Sequence, residues 1–125
     1  GNKYKLEQVI LNLLSNARYA VFEKEKAEGS DYRKVIKINT FTNRKNCGMV
    51  VYDNGTGIPE SIIGNIFDPF FTTKKEEMGT GLGLSIIYGI VKEMKGDIKA
   101  ESKEGKYTRV LVTLPLYREE KEKKN

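Results

Sequence analysis

Two asparagines four residues apart, Asn12 and Asn16, interrupt an otherwise apolar stretch. In a helix that spacing leaves them about 40° apart around the axis, so both project from one side. Asparagine is a poor interior helix former. A stacked pair offers neutral oxygens to a hard cation such as Mg²⁺, which keeps several waters and takes phosphate oxygens; the same pair also suits the polar boundary of an ordinary helix. A second group, Asp53-Asn54-Gly55-Thr56-Gly57-Ile58-Pro59, sets an acid at the end of an apolar run and follows it with alternating glycines. A carboxylate there can accept a hydrogen bond from an exocyclic amine, while Gly55 and Gly57 admit a flat ring close to the backbone. Calcium loops and plain turns use the same residue types. A third group, Gly79-Thr80-Gly81-Leu82-Gly83-Leu84-Ser85, runs into a helical pattern. Backbone N–H groups presented at a helix start make an anion site, because unsatisfied donors and the helix dipole point the same way. The run is not a P-loop, since it lacks a Gly-Lys-Ser/Thr ending, and no strand leads into a G-x-G-x-x-G. Without a ligand it reads as a glycine-rich helix start.

The elements that must position these groups are legible in the periodicity. From Tyr4 to about Lys26, Leu6, Val9, Ile10, Leu13, Leu14, Ala17, Ala20 and Val21 recur at three and four residues, which predicts a long amphipathic helix. Turn formers at Gly29 to Asp31 precede a strand from Val35 to Thr42. A polar hairpin loop from Asn43 to Cys47 leads to a second strand, Gly48 to Asp53. Pro59 and Glu60 open a short helix reaching about Ile66. Phe67 to Gly81 lacks either period, and a loop of that length in a compact domain is functional or mobile. A helix from Leu82 follows, with Gly96 as its C-cap. Strands over Asp97 to Ser102 and Arg109 to Leu114 flank the Glu104-Gly105-Lys106 turn. The order α-β-β-α-loop-α-β-β predicts an α/β two-layer sandwich: one sheet with the helices on one face.

Composition narrows the chemistry. The 125 residues suit one domain of about the usual size. The absence of histidine removes the commonest general base and every Ser-His or Cys-His nucleophile pair. A single cysteine, Cys47, excludes an internal disulfide. The net charge of +5 is concentrated in residues 30–48, which carry Arg33, Lys34, Lys37, Arg44 and Lys45 against Asp31. A patch this small, without a known module, argues against nucleic-acid binding. No apolar run approaches the roughly 20 residues of a membrane span, so the chain is expected to be soluble, cytoplasmic and without direct membrane insertion.

Taken together and in order, these groups resemble the ATP-binding catalytic domain of two-component sensor histidine kinases. That family shares a superfamily (GHKL) with gyrase-type topoisomerases, mismatch-repair ATPases and heat-shock chaperone ATPases. Leu6 to Val21 is similar to the N box, Asp53 to Pro59 to the G1 box, Ile66 to Lys74 (I-F-D-P-F-F-T-T-K) to the F box, and Gly79 to Ser85 to the G2 box. The resemblance covers residues 1–117, leaving 118–125 as a charged tail. It implies a Bergerat-type ATP-binding fold with a mixed sheet. One or two strands commonly precede the first helix in the family, so the chain reads as a fragment that lacks them.

The resemblance implies a site of defined parts. Asp53 would accept from the adenine amino group, with Gly57 beside the ring; Asn16 would ligate Mg²⁺, and Asn12 would lie near the phosphates or metal. Phe67 to Met78 would form a lid over ATP, and the Gly81 to Leu84 backbone would hold the phosphates. Tyr19, Gly55, Ile58, Ile66, Phe67, Gly79, Thr80, Gly81, Leu82, Gly83 and Leu84 complete the expected nucleotide contacts. Tyr19 stands where many relatives carry lysine. Arg18 points roughly 160° away from Asn16, so Lys74, at the base of the lid, is the better cationic phosphate contact, although a solvated lysine is an equal reading. The implied activity is transfer of the γ-phosphoryl group of Mg·ATP to a histidine on a separate dimerisation and phosphoacceptor module. A response-regulator receiver domain would be the downstream partner. Other readings are a nucleotide-binding regulatory module without transfer, an ATPase, or a serine kinase of the same superfamily. An amide at Asn12 cannot act as a general base, which disfavours rapid hydrolysis.

Overall fold

The apolar stripe of the first helix faces the interior as its period requires. In α1 (Lys3–Glu28), Val9, Leu13, Ala17 and Val21 are at most 2% exposed. Burial of each of the larger ones, Val9, Leu13 and Val21, contributes roughly 1.5–3 kcal/mol. The computed structural model of the chain describes residues 3–68 and 83–116. Gly29, at φ +92°, ends the helix, and the chain enters β1 (Ile36–Thr42) and β2 (Asn46–Asp53). These strands form an antiparallel hairpin in the register Ile36↔Asp53 to Thr42↔Cys47. The connection is tighter than the sequence suggests. Asn43 Oδ1 accepts from the N–H groups of Lys45 and Asn46 (2.9 and 2.8 Å), which releases Asn46 and Cys47 from the loop into β2.

The second helix, α2 (Glu60–Ile63), is a single turn capped by Pro59 and Gly64. It stops short of Ile66 because Gly64 closes it and turns carry the chain through Phe67. The third, α3 (Gly83–Glu93), buries Gly83, Ile87 and Val91. At its end, Gly96 N–H reaches Val91 O and Lys95 N–H reaches Lys92 O (both 2.9 Å), a Schellman closure. The left-handed position is therefore Lys95, at φ +65°, and not Gly96. Gly96 is needed for another reason: a Cβ there would collide with the Thr113 carbonyl.

The last two strands, β3 (Asp97–Lys103) and β4 (Tyr107–Pro115), complete a sheet in the order β1-β2-β4-β3. Among the described residues every pairing is antiparallel. The sheet is thus not mixed, because both short connections are hairpins and β4 returns against β2. The inward residues Val51, Val110, Val112 and Ile98 meet Val9, Leu13, Ala17, Ile87 and Val91 of the helices in one core. On the opposite face, Tyr52 and Tyr107 stack at 5.9 Å, with Lys37 and Arg109 over their rings. All of β1 is exposed, as befits an edge strand. No helix of the described residues is long and apolar enough to cross a membrane.

Candidate functional site

Strand alternation dictates where Asp53 points. Met49 and Val51 face the core, so the side chain two residues further on must do the same, and Asp53 is only 5% exposed. Its Oδ1 accepts from Gly55 N–H at 2.8 Å. Burial raises its pKa to about 6, only partly offset by that hydrogen bond. Among the described residues no basic side chain forms an ion pair with it. The carboxylate therefore keeps acceptor capacity for a donor that the described residues do not supply.

The loop after Asp53 is held from three sides. A Cβ on Gly55 would lie 2.6 Å from the Ala20 backbone, so this glycine lets the loop touch α1. Gly57, at φ +71°, packs where a Cβ would collide with the Lys103 carbonyl. Both glycines thus answer to close backbone approaches, a requirement that a turn alone would not impose. Thr56 O accepts from Gly105 N–H at 2.6 Å, and Ile58 N–H donates to Ser102 Oγ at 2.7 Å. Asn54 fastens the third side: its Oδ1 accepts from Tyr32 Oη and Val35 N–H (2.8 and 2.9 Å), and its Nδ2 donates to Arg33 O at 2.9 Å. Asn54, Tyr32 and Ser102 were not singled out from the sequence. For Ser102 a signal existed, since it is a polar residue at an inward position of β3, in step with Ile98 and Ala100.

On α1, Asn12, Asn16 and Tyr19 are all half-buried and fall within an arc of about 60°, beside Ala20 where Gly55 packs. Among the described residues the Tyr19 hydroxyl is buried without a hydrogen-bond partner. An unmatched buried hydroxyl costs about 1–3 kcal/mol, and a ligand oxygen would relieve it. Arg18 lies on the other side of the helix. It stacks over Phe22 at 4.9 Å and lines a groove with Leu14, Val21, Phe22, Lys34 and Ile36.

The start of α3 is brought toward the same region. Lys5 Nζ meets Glu93 Oε1 at 2.7 Å, so the last turn of α3 sits at the first turn of α1. Further along α3, Ile87 and Val91 share one core with Val9, Leu13 and Ala17 of α1. Leu84 is packed against the core, as is Phe67, which stacks on Tyr88 at 5.5 Å; Ile66 is buried. Lys74, Gly79, Thr80, Gly81 and Leu82 lie outside the described residues, as do residues 69–78 of the expected Phe67 to Met78 lid.

The donor set suits one kind of cation. Among the described residues there is no group of three or more His, Cys, Asp or Glu side chains that could hold a metal. Two amide oxygens on α1 could serve a hard cation such as Mg²⁺ that arrives with a polyphosphate and keeps its remaining ligands as phosphate oxygens and water.

The chain is similar to known proteins over nearly its whole length. The family model described as histidine kinase-, DNA gyrase B- and HSP90-like ATPase matches residues 1–118. Sensor kinase CckA of Brucella abortus is 40% identical over 124 residues, covering 94% of the chain and 13% of that protein. Two-component sensor PprA of Pseudomonas aeruginosa is 42% identical over 119 residues, covering 93% and 12%. The chain therefore spans about an eighth of the length of these relatives. The nucleotide-free catalytic domain of histidine kinase ThkA superposes with a TM-score of 0.73 at 34% identity, covering 92% of this chain and 69% of that one. With Asp53, its glycine loop and the α1 asparagines set as above, the chain belongs to the histidine kinase-, DNA gyrase B- and HSP90-like ATPase family, on its sensor histidine kinase branch.

Proposed function

We propose that the chain binds Mg·ATP between α1 and the segment from Phe67 to Met78, and donates the γ-phosphoryl group to a histidine on a dimerisation module elsewhere in its parent protein. The single observation that carries this reading is Asp53: a buried carboxylate with spare acceptor capacity beside a loop pinned to α1. Asp53 accepts from the adenine amino group, and Ile58, Ile66 and Phe67 supply apolar surface to the ring. The Tyr19 hydroxyl donates to the nucleotide. Asn16, with Asn12 beside it, offers its amide oxygen to Mg²⁺, and Gly81 to Leu84 present backbone N–H groups to the phosphates. Mg²⁺ supplies charge neutralisation on the phosphate oxygens.

Transfer breaks the bond between the γ-phosphorus and the bridging oxygen, which leaves with ADP and its electron pair, and forms a bond from phosphorus to an imidazole nitrogen. The imidazole proton passes to a base on the acceptor module. This chain contains no histidine, so the acceptor is supplied by another part of the system. A receiver domain then takes the phosphoryl group onward. This chemistry belongs to the cytoplasm, where ATP is abundant. The amide at Asn12 cannot activate water, which favours transfer over hydrolysis.

Calorimetry of Mg·ADP binding tests the assignment. Asp53→Asn presents a donor as well as an acceptor to the base, and is expected to weaken binding by about 1–3 kcal/mol. Unchanged binding would remove Asp53 from the adenine site.

A further inference from the structure

We infer that Ser102 is a positioning residue of the nucleotide site, its hydroxyl fixing the Gly57-Ile58 segment beside Asp53. The inference deepens the proposed reading and rests on it. Ser102 is half-buried near the end of β3, on the sheet face that also carries Asp53. Its Oγ accepts from Ile58 N–H at 2.7 Å and donates to Tyr107 O at 2.6 Å. A hydroxyl has one proton to give, so the Thr108 Oγ1 at 2.9 Å must be the donor in that contact. One donor and two acceptor capacities are then all used, and the position of Ile58 N–H is fixed by a saturated centre.

Two further contacts make the β3–β4 hairpin a clamp. Gly57 lies against the Lys103 carbonyl too closely for any side chain, and Gly105 N–H holds Thr56 O. The hairpin is itself tied to α1, where Lys24 Nζ donates to Gly105 O at 2.7 Å. Asp53 is anchored by β2 and does not need Ser102. The segment beside it does, because among the described residues the Ile58 N–H has this hydroxyl as its partner. Ser102 thereby sets the gap between the Asp53 acceptor and the loop that flanks it, and so the fit of an adenine ring.

The test compares the wild-type chain with Ser102→Ala, Ser102→Cys and Ser102→Thr, by binding of ADP and of inosine diphosphate, which lacks the exocyclic amine. Wild type is expected to prefer ADP. Ser102→Ala and the near-isosteric Ser102→Cys should lose about five- to tenfold in ADP affinity, the scale of one hydrogen bond, with a smaller loss for inosine diphosphate. Faster amide exchange at Ile58 should accompany that loss. Ser102→Thr, which keeps the hydroxyl, should restore both affinity and preference. Should Ser102→Ala fail to fold, Ser102→Cys carries the same comparison. Equal losses for the two nucleotides, or none, would overturn the positioning role while leaving the adenine site intact. A wild-type chain with no preference for ADP would overturn the reading of the site as well.

Discussion

At the scale of single residues, burial of Asp53 makes its acceptor role depend on pH. Its pKa rises to about 6 from an ordinary 3.8 because the charged form is desolvated. The proposed adenine contact needs the carboxylate, so ADP affinity should fall as pH drops below about 6 and stay level above 7. A titration series by calorimetry checks this, and a flat profile from pH 5 to 8 would contradict it. Stability has the opposite sign. A raised folded pKa means that the native state favours the protonated acid, so this contribution is complete below 3.8 and is lost as pH rises through about 6. Asp53→Asn, which still accepts from Gly55 N–H, should therefore raise stability at pH 8, by up to about 3 kcal/mol, while weakening ADP binding. Thermal melts of the two proteins at pH 5 and pH 8 would reveal a gap that widens with pH. Tyr19 invites a similar comparison. Removing an unmatched hydroxyl in Tyr19→Phe should leave the apo fold as stable or gain up to about 1 kcal/mol, and ADP affinity should fall about fivefold. A variant that binds ADP like wild type would exclude a nucleotide contact.

At the scale of elements, the site depends on how the G1 loop meets the β3–β4 hairpin. Gly57 and Gly105 both have positive φ, but they differ in their surroundings. Gly57 has the Lys103 carbonyl where a Cβ would go, whereas Gly105 has open space. Gly105→Ala should cost only backbone strain, about 1 kcal/mol. Gly57→Ala must also push the loop away from the hairpin, and should cost at least about 2 kcal/mol together with nucleotide affinity. Paired urea melts and ADP titrations separate the two variants; equal losses would mean that the close approach at Gly57 contributes nothing. The same clamp explains why β3 and β4 matter to a site whose motifs all lie elsewhere in the chain.

At the scale of the whole molecule, the proposed division of labour predicts that this chain cannot phosphorylate itself. Incubated alone with γ-labelled ATP it should remain unlabelled. Adding the dimerisation module of its parent should label that module with an acid-labile, alkali-stable phosphate, as a phosphoramidate requires. The rate should be low, because separate chains lack the effective concentration of about millimolar that a linker provides. Label appearing on the isolated chain would instead support a serine-directed relative of the superfamily.

Much of this molecule was legible along the chain, because the physics involved is local. The α1 stripe from Leu6 to Val21 follows from the helical period, and the Glu104-Gly105-Lys106 turn from glycine's access to positive φ. Asp53 at a strand end before two glycines is visible as a candidate through residue type and spacing, although plain turns share that pattern, and Asn12 and Asn16 share a helix side by arithmetic. Other features required the folded chain. Periodicity does not show that Gly55 rests on Ala20, that Gly57 rests on Lys103, or that Lys95 and not Gly96 takes the left-handed cap. Nor does it reveal the bond between Ile58 and Ser102, residues 44 apart in sequence, or the unmatched Tyr19 hydroxyl. Each of these depends on which surfaces the core brings into contact, and burial is a property of the packed chain: it is the surroundings of Asp53, and not its identity, that hold its pKa near 6.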